Sequence, residues 1–486
     1  MRRFLPLLLV ALVAAGTTLA AATLSVRWWL AAGPALALTC LGGRDLLQRR
    51  RTVLRNHPLV GRLRRPGEQA PPSGARPDGQ EFLVPSLWPV EATEEAPVVR
   101  VGGPDCAQPY DMALLNVSAM SFGALSSHAV LALNRGAALG RFAQDTGEGG
   151  LSEYHLRGGG DLVWEIGTGY FGCRGADGGF DVREFADKAA LPEVKCVSLK
   201  LSQGAAPGGG GVLPGVKVSA EIARERKAAV GEPVVSPPCH RVFSTPRELV
   251  LFLARLRESA GGKPIGFKLC VGARREFLAV CRAMVVEGVA PDFVVVDGSE
   301  GGTGAAPTGF AGRLGMPLTE GLITVHNALV GVGLRDRVRI GASGRVATGF
   351  DIVRRLVQGA DYTNAARAMM LAVGCVRAGR CHTGACPTGV ATQDPLRARA
   401  LNVAVQAEQV RRYQRQTVRE AVSVMAAMGV CEPGELTPAH LVRRTGPGTA
   451  RSYAELYEWL APGELLAGPP QSWAADWKEA DPDSFR

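Results

Sequence analysis

The chain has 486 residues, a hydrophobic fraction of 46% and 61 glycines, values typical of a globular protein with many turns. Its formal net charge of +10 is weak support for nucleic-acid binding, because the basic residues are scattered and several follow an apolar N-terminus. The 11 cysteines are too widely spread for the disulfide framework of a small secreted protein.

The N-terminal segment predicts a transmembrane hairpin. No charged residue lies between Phe4 and Val26, a stretch long enough to cross a hydrocarbon core of about 30 Å. A second apolar stretch follows Arg27 and ends at Arg44, after which arginines are frequent. Positive charge at both outer ends favours a hairpin with both ends in the cytoplasm, and so a catalytic domain on the cytoplasmic face of the cytoplasmic membrane.

Two alternatives to this hairpin stay open. The second apolar stretch is short and contains Pro34, so a re-entrant or interfacial segment also fits it. A basic start, an apolar run and small residues near Ala20–Ala22 also match a cleaved signal peptide.

The rest of the chain changes character at a linker and again after the central region. Residues 66–79, PGEQAPPSGARPDG, have the composition of a linker. After Gln393 the pattern is helical, and the tail from Ser452 is either a docking segment or partly disordered. The predicted regions are the hairpin (1–48), a basic stretch with the linker (49–105), a catalytic domain (106–400) and a helical extension with the tail (401–486).

Eight short apolar runs in the central region end in glycine or polar residues and alternate with helical stretches. They are ALLNVSAMSFG, RFAQDTGEGG, LVWEIGTG, CVSLKLSQG, IGFKLC, DFVVVDGSEGGTG, RVRIGASG and DYTNAAR. Eight strand–helix units in about 260 residues predict an α/β fold, a (β/α)8 TIM barrel with its active site at the C-terminal ends of the strands.

Glycine-rich turns follow two of the last strands, at Asp297–Pro307 (DGSEGGTGAAP) and Gly341–Gly349 (GASGRVATG). Glycine lets backbone N–H groups approach a phosphate, and the helix that follows adds a positive dipole end. The sequence has no P-loop motif and no G-x-G-x-x-G after the first strand. A monophosphate cofactor, above all FMN, therefore suits the barrel best, although glycines that only form turns stay an alternative.

Lys200 in SLKLSQG and Lys268 in IGFKLC each lie at the end of an apolar strand, in a chain with only eight lysines. A lysine at the end of the fifth strand can face the N1–C2=O edge of a flavin and stabilise the negative charge of its reduced form. Glu148 in TGEGG and Glu165 in VWEIGTG lie among apolar and glycine residues. Either could be a buried carboxylate that pairs with these lysines.

Cys375, Cys381 and Cys386 lie within twelve residues, with the spacing C-x5-C-x4-C. This group is more typical of a metal or iron–sulfur site in a reducing compartment than of disulfides. His382 follows the second cysteine, so zinc bound by three cysteines and a histidine is an alternative.

Together these segments resemble the FMN-binding domain of the glutamate synthase family, above all its stand-alone, membrane-anchored branch. The resemblance covers roughly residues 106–400. It rests on SAMSFGALS, DTGEGG, GGGDLVWEIGTGYFGCR, KLSQGAAPGGGG, SPPCH, GFKL, VVVDGSEGGTGAAP, GLRDRVRIGASGR and CHTGACPTGVATQDP. It implies a (β/α)8 barrel that holds FMN and a [3Fe–4S] cluster, a cluster for which three cysteines suffice.

The resemblance also implies an activity and residue roles. The family's reaction is the reduction of 2-iminoglutarate, formed from 2-oxoglutarate and ammonia, to glutamate by hydride from FMN, with the cluster passing electrons in. By position, Ala119, Met120 and Ser121 would line the flavin, Lys268 would lie at its ring edge, and Gly301, Gly302, Gly344 and Arg345 would hold its phosphate. Lys200, Gln203 and Glu148 would lie near the substrate or the flavin–cluster gap, and Cys375, Cys381 and Cys386 would bind the cluster.

The chain departs from the family pattern near the substrate. The family's Q-G-A-K-P-G is Gln203–Gly208 here, with Ala206 in place of the lysine, and Gly209 occupies a position that is charged or histidine in the family. Loss of one charge-assisted contact weakens dicarboxylate binding by about 1–3 kcal/mol. Unless another basic residue compensates, we expect weaker recognition of 2-oxoglutarate.

The sequence also lacks features of larger glutamate synthases. It begins Met-Arg-Arg and has no cysteine before Cys40, so we expect no glutaminase domain, and ammonia that arrives free, from another amine or from a partner. We find no NAD(P)H/FAD module, so electrons are expected from ferredoxin, a separate reductase or a membrane donor. Two alternative functions stay open: an amine or amino-acid dehydrogenase that passes electrons to a membrane acceptor, and an electron-transfer subunit with a vestigial substrate pocket.

Overall fold

The computed structural model describes residues 4–48, 52–60, 79–204, 209–301, 309–310 and 312–486. Nearly all of the predicted linker 66–79 lies outside the described residues, and so do Ala206 and Gly302.

Two antiparallel helices, α1 (Leu5–Thr23) and α2 (Trp29–Leu47), form the predicted N-terminal hairpin around a turn that contains Arg27. Gly42 of α2 packs directly on the side chain of Leu7 of α1. Among the described residues, only α1 is both long and apolar enough to cross a membrane, with a mean hydropathy of 2.1. A signal sequence has the same properties, so membrane insertion stays a prediction.

A short helix, α3 (Thr52–Asn56), connects the hairpin to the rest of the protein. The guanidinium of Arg55 donates to the carbonyl of Ala400 at 2.7 Å. The side-chain amide of Asn56 donates to the carbonyl of Arg397 at 3.4 Å. The hairpin therefore leads onto the face of the protein that carries the segment after the cysteine motif.

Eight parallel strands close into a barrel, which confirms the predicted (β/α)8 fold. Before the barrel come β1 (Glu81–Leu83), β2 (Val98–Val101) and β3 (Tyr110–Ala113). The first four barrel strands are β4 (Leu115–Val117), β5 (Gln144–Asp145), β6 (Leu162–Ile166) and β7 (Val194–Lys200), followed by an antiparallel pair, β8 (Val212–Leu213) and β9 (Val234–Val235). The last four are β10 (Ile265–Leu269), β11 (Phe293–Asp297), β12 (Arg339–Ser343) and β13 (Tyr362–Ala365), which pairs with β4. Each barrel strand overlaps one of the eight predicted runs, and β7 begins two residues before its run.

The helices form the outer layer. After the first four strands come α4 (Ser127–Gly140), α5 (Glu153–Leu156), α6 (Val182–Ala189), α7 (Ala220–Arg226) and α8 (Pro246–Ser259). After the last four come α9 (Arg274–Glu287), α10 (Leu318–Gly331), α11 (Gly349–Val357), α12 (Arg367–Ala372), α13 (Pro395–Ala398) and α14 (Val403–Ala427). Local signals fix their ends: Thr245 caps α8 ahead of Pro246, and α9 stops at Gly288, whose φ of 65° suits glycine.

The barrel interior is apolar towards its N-terminal end and polar towards its C-terminal end. Val101 and Met112 of the β2–β3 hairpin pack with interior side chains such as Phe293 and Tyr362 and close the N-terminal end. An added Cβ at Gly341 would lie 2.6 Å from the ring of Tyr362, so this strand position accommodates a large neighbour only because it is glycine. The closed floor leaves the C-terminal mouth as the face for chemistry.

The C-terminal extension packs on the barrel. The predicted helix is present as α14, which packs on α4 and α11. The remaining elements are β14 (Leu441–Gly446) and β15 (Thr449–Ser452), which form a sheet with β1, and α15 (Tyr453–Leu456), α16 (Glu464–Ala467) and α17 (Gln471–Glu479). The tail docks through α17, where Trp473 and Trp477 are buried and receive the guanidinium groups of Arg274 and Arg282 from α9.

Candidate functional site at the barrel mouth

Lys200 and Lys268 lie side by side near the C-terminal ends of β7 and β10, where they are register partners. Lys200 Nζ lies 2.9 Å from Glu148 Oε1 and donates to Gln203 Oε1 at 3.0 Å. Lys268 Nζ forms a buried ion pair with Glu165 of β6. The structure therefore contains both of the lysine–glutamate pairs that the sequence suggests.

The two ion pairs determine the ionisation of Glu148 and Lys268 at the barrel mouth. Burial alone would raise the pKa of Glu148, but the charge and hydrogen bond of Lys200 lower it below its ordinary value, so Glu148 is a carboxylate. Burial likewise opposes the charge of Lys268, and the charge of Glu165 outweighs it and raises the pKa of Lys268. Two ammonium groups and two carboxylates thus balance within the polypeptide.

Asp145, at the end of β5, is a further titratable side chain beside these two ion pairs. Burial raises its pKa to about 8, and repulsion from Glu165 adds to this effect, so the carboxyl is mostly protonated at neutral pH. Its Oδ1 accepts a hydrogen bond from the backbone N–H of Gly147 at 2.9 Å. A buried neutral carboxyl beside an ammonium–carboxylate pair can donate a hydrogen bond into the mouth.

The loops after β4 and β5 pack closely at the rim. An added Cβ at Gly147 would lie 2.6 Å from the backbone nitrogen of Ser121, and one at Gly149 would lie 2.7 Å from its Cβ. The predicted flavin-lining residues Ala119, Met120 and Ser121 are therefore held by the DTGEGG glycines, directly after the first barrel strand.

Polar side chains from the first, seventh and eighth strands also reach the mouth, a donor set that suits a flavin. Ser118 and Ser343 lie 3.2 Å apart through their hydroxyl oxygens. Asn364 is 7% exposed, and its side-chain amide makes no hydrogen bond within the described part of the chain. A ring with several carbonyl and imide groups can satisfy such side chains.

The predicted phosphate loop is formed differently from the expectation. Gly344 and Arg345 both have positive φ, 150° and 51°, and Gly344 lies beside the turn after β11. The first turn of α11, however, is already capped, because Thr348 Oγ1 accepts from Asp351 N and Glu420 Oε2 accepts from Gly349 N. A phosphate here would depend on the loop N–H groups and not on this helix end. Gly301 N donates to Gly298 O at 2.8 Å, and Gly302 lies outside the described residues.

The cysteine motif lies between α12 and α13 and encloses a small cavity lined by Cys375, Cys381 and Cys386. Burial raises the pKa of the Cys375 and Cys381 thiols, and their thiol neighbours add to this effect, so these two thiols need a nearby positive charge to ionise. Iron supplies that charge in a cluster. No three His, Cys, Asp or Glu side chains of the described ranges are grouped to hold a single metal ion, so the iron–sulfur cluster and the zinc alternative with His382 both stay predictions.

Residues 375–394, the cysteine segment, are hydrogen-bonded to the loop after β4. Gln393 Nε2 donates to the carbonyls of Gly123 and Leu125 at 2.9 and 2.8 Å. Ser126 Oγ donates to Gly389 O at 2.7 Å. These bonds hold the cavity of the three cysteines next to the loop that would line the flavin.

A sequence model described as "Conserved region in glutamate synthase" matches residues 102–431, about two thirds of the chain. The chain belongs to the glutamate synthase family. The match includes the whole of α14, which packs on α4 and α11.

Three relatives illustrate the family's range. "Glutamate synthase large subunit-like protein YerD" of Bacillus subtilis is 41% identical over 351 residues, 72% of this chain and 66% of that protein. "Archaeal glutamate synthase [NADPH]" of Archaeoglobus fulgidus is 31% identical, over 77% of this chain and 68% of that protein. "Ferredoxin-dependent glutamate synthase, chloroplastic" of Spinacia oleracea is 38% identical over 42% of this chain and 12% of that protein. The chain thus spans about two thirds of the length of the first two relatives.

Three buried polar residues near the barrel mouth and the cysteine motif were not among the predicted ones. Asp145 stands inside the quoted run RFAQDTGEGG, where its position three residues before the predicted Glu148 was the available signal. Arg226 is buried and donates to Phe122 O at 3.2 Å. Lys217 is buried in a turn and donates to two loop carbonyls, and burial lowers its pKa to about 8.

Proposed function

We propose that this protein is a glutamate synthase-type oxidoreductase that holds FMN at the barrel mouth and a [3Fe–4S] cluster in the cysteine segment. Its reaction is the reduction of 2-iminoglutarate, from 2-oxoglutarate and ammonia, to glutamate. The observation that carries this proposal is the pair of buried lysine–glutamate bridges, Lys200–Glu148 and Lys268–Glu165, beside a loop to which the cysteine segment is fastened.

When bound, FMN supplies hydride and the cluster supplies single electrons. Lys268 keeps a fixed positive charge at the mouth because Glu165 holds it charged. Asp145 offers a proton at neutral pH, and Lys200 with Gln203 presents donors and an acceptor at the end of β7. Ser118 and Asn364 would bind polar edges of the ring, and Met120 would cover it.

We further propose that α1 anchors the protein in the cytoplasmic membrane with the barrel in the cytoplasm. The hairpin charges support this orientation, and α3 fixes the anchor to the face that carries the cysteine segment. Electrons would enter at this face from ferredoxin, from a reductase or from a membrane donor. The names of the spinach and archaeal relatives, which mention ferredoxin and NADPH, support the first two sources.

A second candidate function is an amine or amino-acid dehydrogenase that passes electrons to a membrane acceptor. The observation that favours it is that Lys200 and Lys268 are each already paired with a glutamate. Gly209 adds no charge, and Ala206, at the family's lysine position, lies outside the described residues. A dicarboxylate would then find few uncommitted cations.

The test of both is anaerobic purification of the full chain, with flavin, iron and acid-labile sulfide quantified. Turnover is then measured in two directions: 2-oxoglutarate plus ammonium with a reduced dye, and glutamate or N-methylglutamate with an oxidised dye. FMN, iron and sulfide together with amination support the first function. Oxidation alone supports the second, flavin reduction without either turnover indicates an electron-transfer subunit, and zinc without sulfide refutes the cluster.

Membrane attachment is tested separately by fractionation and protease accessibility. A membrane-bound product whose barrel is digested only after cell lysis supports the anchor. A soluble periplasmic product with a shortened N-terminus contradicts it and identifies a signal peptide.

A further inference from the structure

Lys217 is a buried lysine between the loop after β4 and the cysteine segment. It ends a 3-10 turn before α7 and is 2% exposed. Its ammonium donates to Ala124 O at 2.6 Å and to Cys381 O at 3.1 Å, so it joins the loop after β4 to the cysteine segment. These carbonyls are its partners among the described residues, and no described carboxylate acts on it.

The other charges around Lys217 do not neutralise it. The titratable groups that act on it are Cys381, Cys386 and the guanidinium of Arg226. Arg226 is itself a buried cation and makes the position more electropositive. A buried ammonium without an anion is costly, and buried charges in proteins are paired or bind metal centres.

Lys263 provides a comparison within the same chain. It is also buried, at 7% exposure, and it also donates to two carbonyls, those of Ala189 and Leu191 at 2.6 and 2.8 Å. These carbonyls lie at the C-terminal end of α6, where the helix dipole is negative and stabilises a cation. The carbonyls of Ala124 and Cys381 lie in a loop and a single 3-10 turn, so Lys217 has no such dipole.

We propose that Lys217 is the buried counter-ion of the iron–sulfur cluster and raises its reduction potential. The inference rests on the proposed function, because it requires a cluster on Cys375, Cys381 and Cys386. Three thiolates give the bound cluster a net negative charge, and reduction adds one more electron. A nearby cation therefore stabilises the reduced form more than the oxidised form, and cluster charge is one of the determinants of the potential.

Lys217 is a positioning residue as well, because its two bonds fix the distance between the loop at the flavin and the loop of Cys381. Charge and hydrogen bonding can be separated by substitution. Lys217→Arg keeps the charge and the donors, whereas Lys217→Gln keeps an N–H donor and removes the charge. Lys263→Gln makes the same change at the matched buried lysine, far from the cysteine segment.

The experiment is an EPR-monitored redox titration of the anaerobically purified full chain and of these three variants. We expect the potential of Lys217→Gln to fall by an amount equivalent to at least a tenfold change in the reduction equilibrium, about 59 mV for one electron. Lys217→Arg and Lys263→Gln should keep the wild-type potential. Loss of cluster from Lys217→Gln alone, with Lys217→Arg loaded, supports the same conclusion.

Three results would contradict the counter-ion role of Lys217. A Lys217→Gln variant that keeps its cluster at the wild-type potential overturns the counter-ion role and leaves the proposed function intact. Equal shifts in Lys217→Gln and Lys263→Gln also overturn it, because they would show a general effect of lost stability. Wild-type protein without iron and sulfide overturns the proposed function itself, together with this inference.

Discussion

Buried lysines have different partners at the barrel mouth and at the cysteine segment. At the barrel mouth, Lys200 and Lys268 each have a glutamate, so the ammonium groups are neutralised by the protein itself. At the cysteine segment, Lys217 has carbonyls and thiols but no carboxylate of the described chain. The two lysines at the mouth are paired without a flavin, whereas the described residues around the cysteine segment offer Lys217 carbonyl partners and no carboxylate.

This difference indicates what each cofactor does for folding. A flavin that enters a balanced mouth adds contacts without rescuing an isolated charge. The proposed cluster would supply negative charge to the buried cation and bind the three thiols at once, so its binding energy would contribute directly to stability. The substitutions below test this contrast, beginning with the largest expected effect.

Cys381→Ala should remove the cluster completely, because one of only three thiolate ligands is lost. Iron and acid-labile sulfide should fall to background in the purified variant, while flavin content stays at the wild-type level. Cys431→Ala, at an exposed cysteine beyond α14, serves as the control and should keep both. Unchanged iron in Cys381→Ala would contradict the ligand assignment.

Glu165→Ala should lower the free energy of unfolding by about 3–5 kcal/mol, since it leaves the buried ammonium of Lys268 without its partner. Equilibrium urea unfolding measures the change. The double variant Glu165→Leu, Lys268→Met should lose much less, because no unpaired charge remains. Equal losses in the single and double variants would show that packing, and not charge, dominates at the mouth.

Lys217→Met should act in the opposite direction once the cluster is absent. In the Cys381→Ala background it removes a buried charge that has lost its counter-ion, so it should raise the free energy of unfolding by about 1–4 kcal/mol. Lys268→Met in the same background should lower it, because Glu165 is left alone. If both substitutions destabilise, the two regions do not differ in the way described.

Asp145→Asn should change the pH dependence of stability rather than its value in acid. The folded carboxyl has a pKa of about 8 against an ordinary 3.8, so the folded state keeps a proton that the unfolded state releases. The free energy of unfolding therefore falls as pH rises from about 4 through 8, and Asn abolishes this contribution. Urea unfolding at pH 5 and pH 8 should show a smaller difference in the variant, and an unchanged difference would contradict the burial of this proton.

The sequence predicted the barrel because each strand carries its own signal, a short apolar run that ends in glycine or a polar residue. It suggested the pairing of Lys200 and Lys268 with glutamates for the same reason, since all four residues lie in or directly after such runs. The roles of these residues toward flavin and substrate stay predictions.

What the sequence did not reveal depends on contacts between distant segments. Lys217 lies in a turn outside the strands, and its importance comes from a carbonyl 164 positions away. The sequence predicts a phosphate site at the first turn of α11. In the structure, Glu420, 71 positions further on, accepts the hydrogen bond from Gly349 N. Periodicity and motif spacing carry no record of such partners.

The docking of α17 on α9 has a consequence for how the chain matures. The guanidinium groups of Arg274 and Arg282 stack on Trp473 and Trp477, which lie about 200 positions later in the sequence. During synthesis, α9 therefore leaves the ribosome well before the tryptophans that cover it. Until residues 471–479 emerge, this flank of the nascent protein is an exposed apolar surface of the kind that chaperones recognise. Shortening the chain before Gln471 would make that transient state permanent.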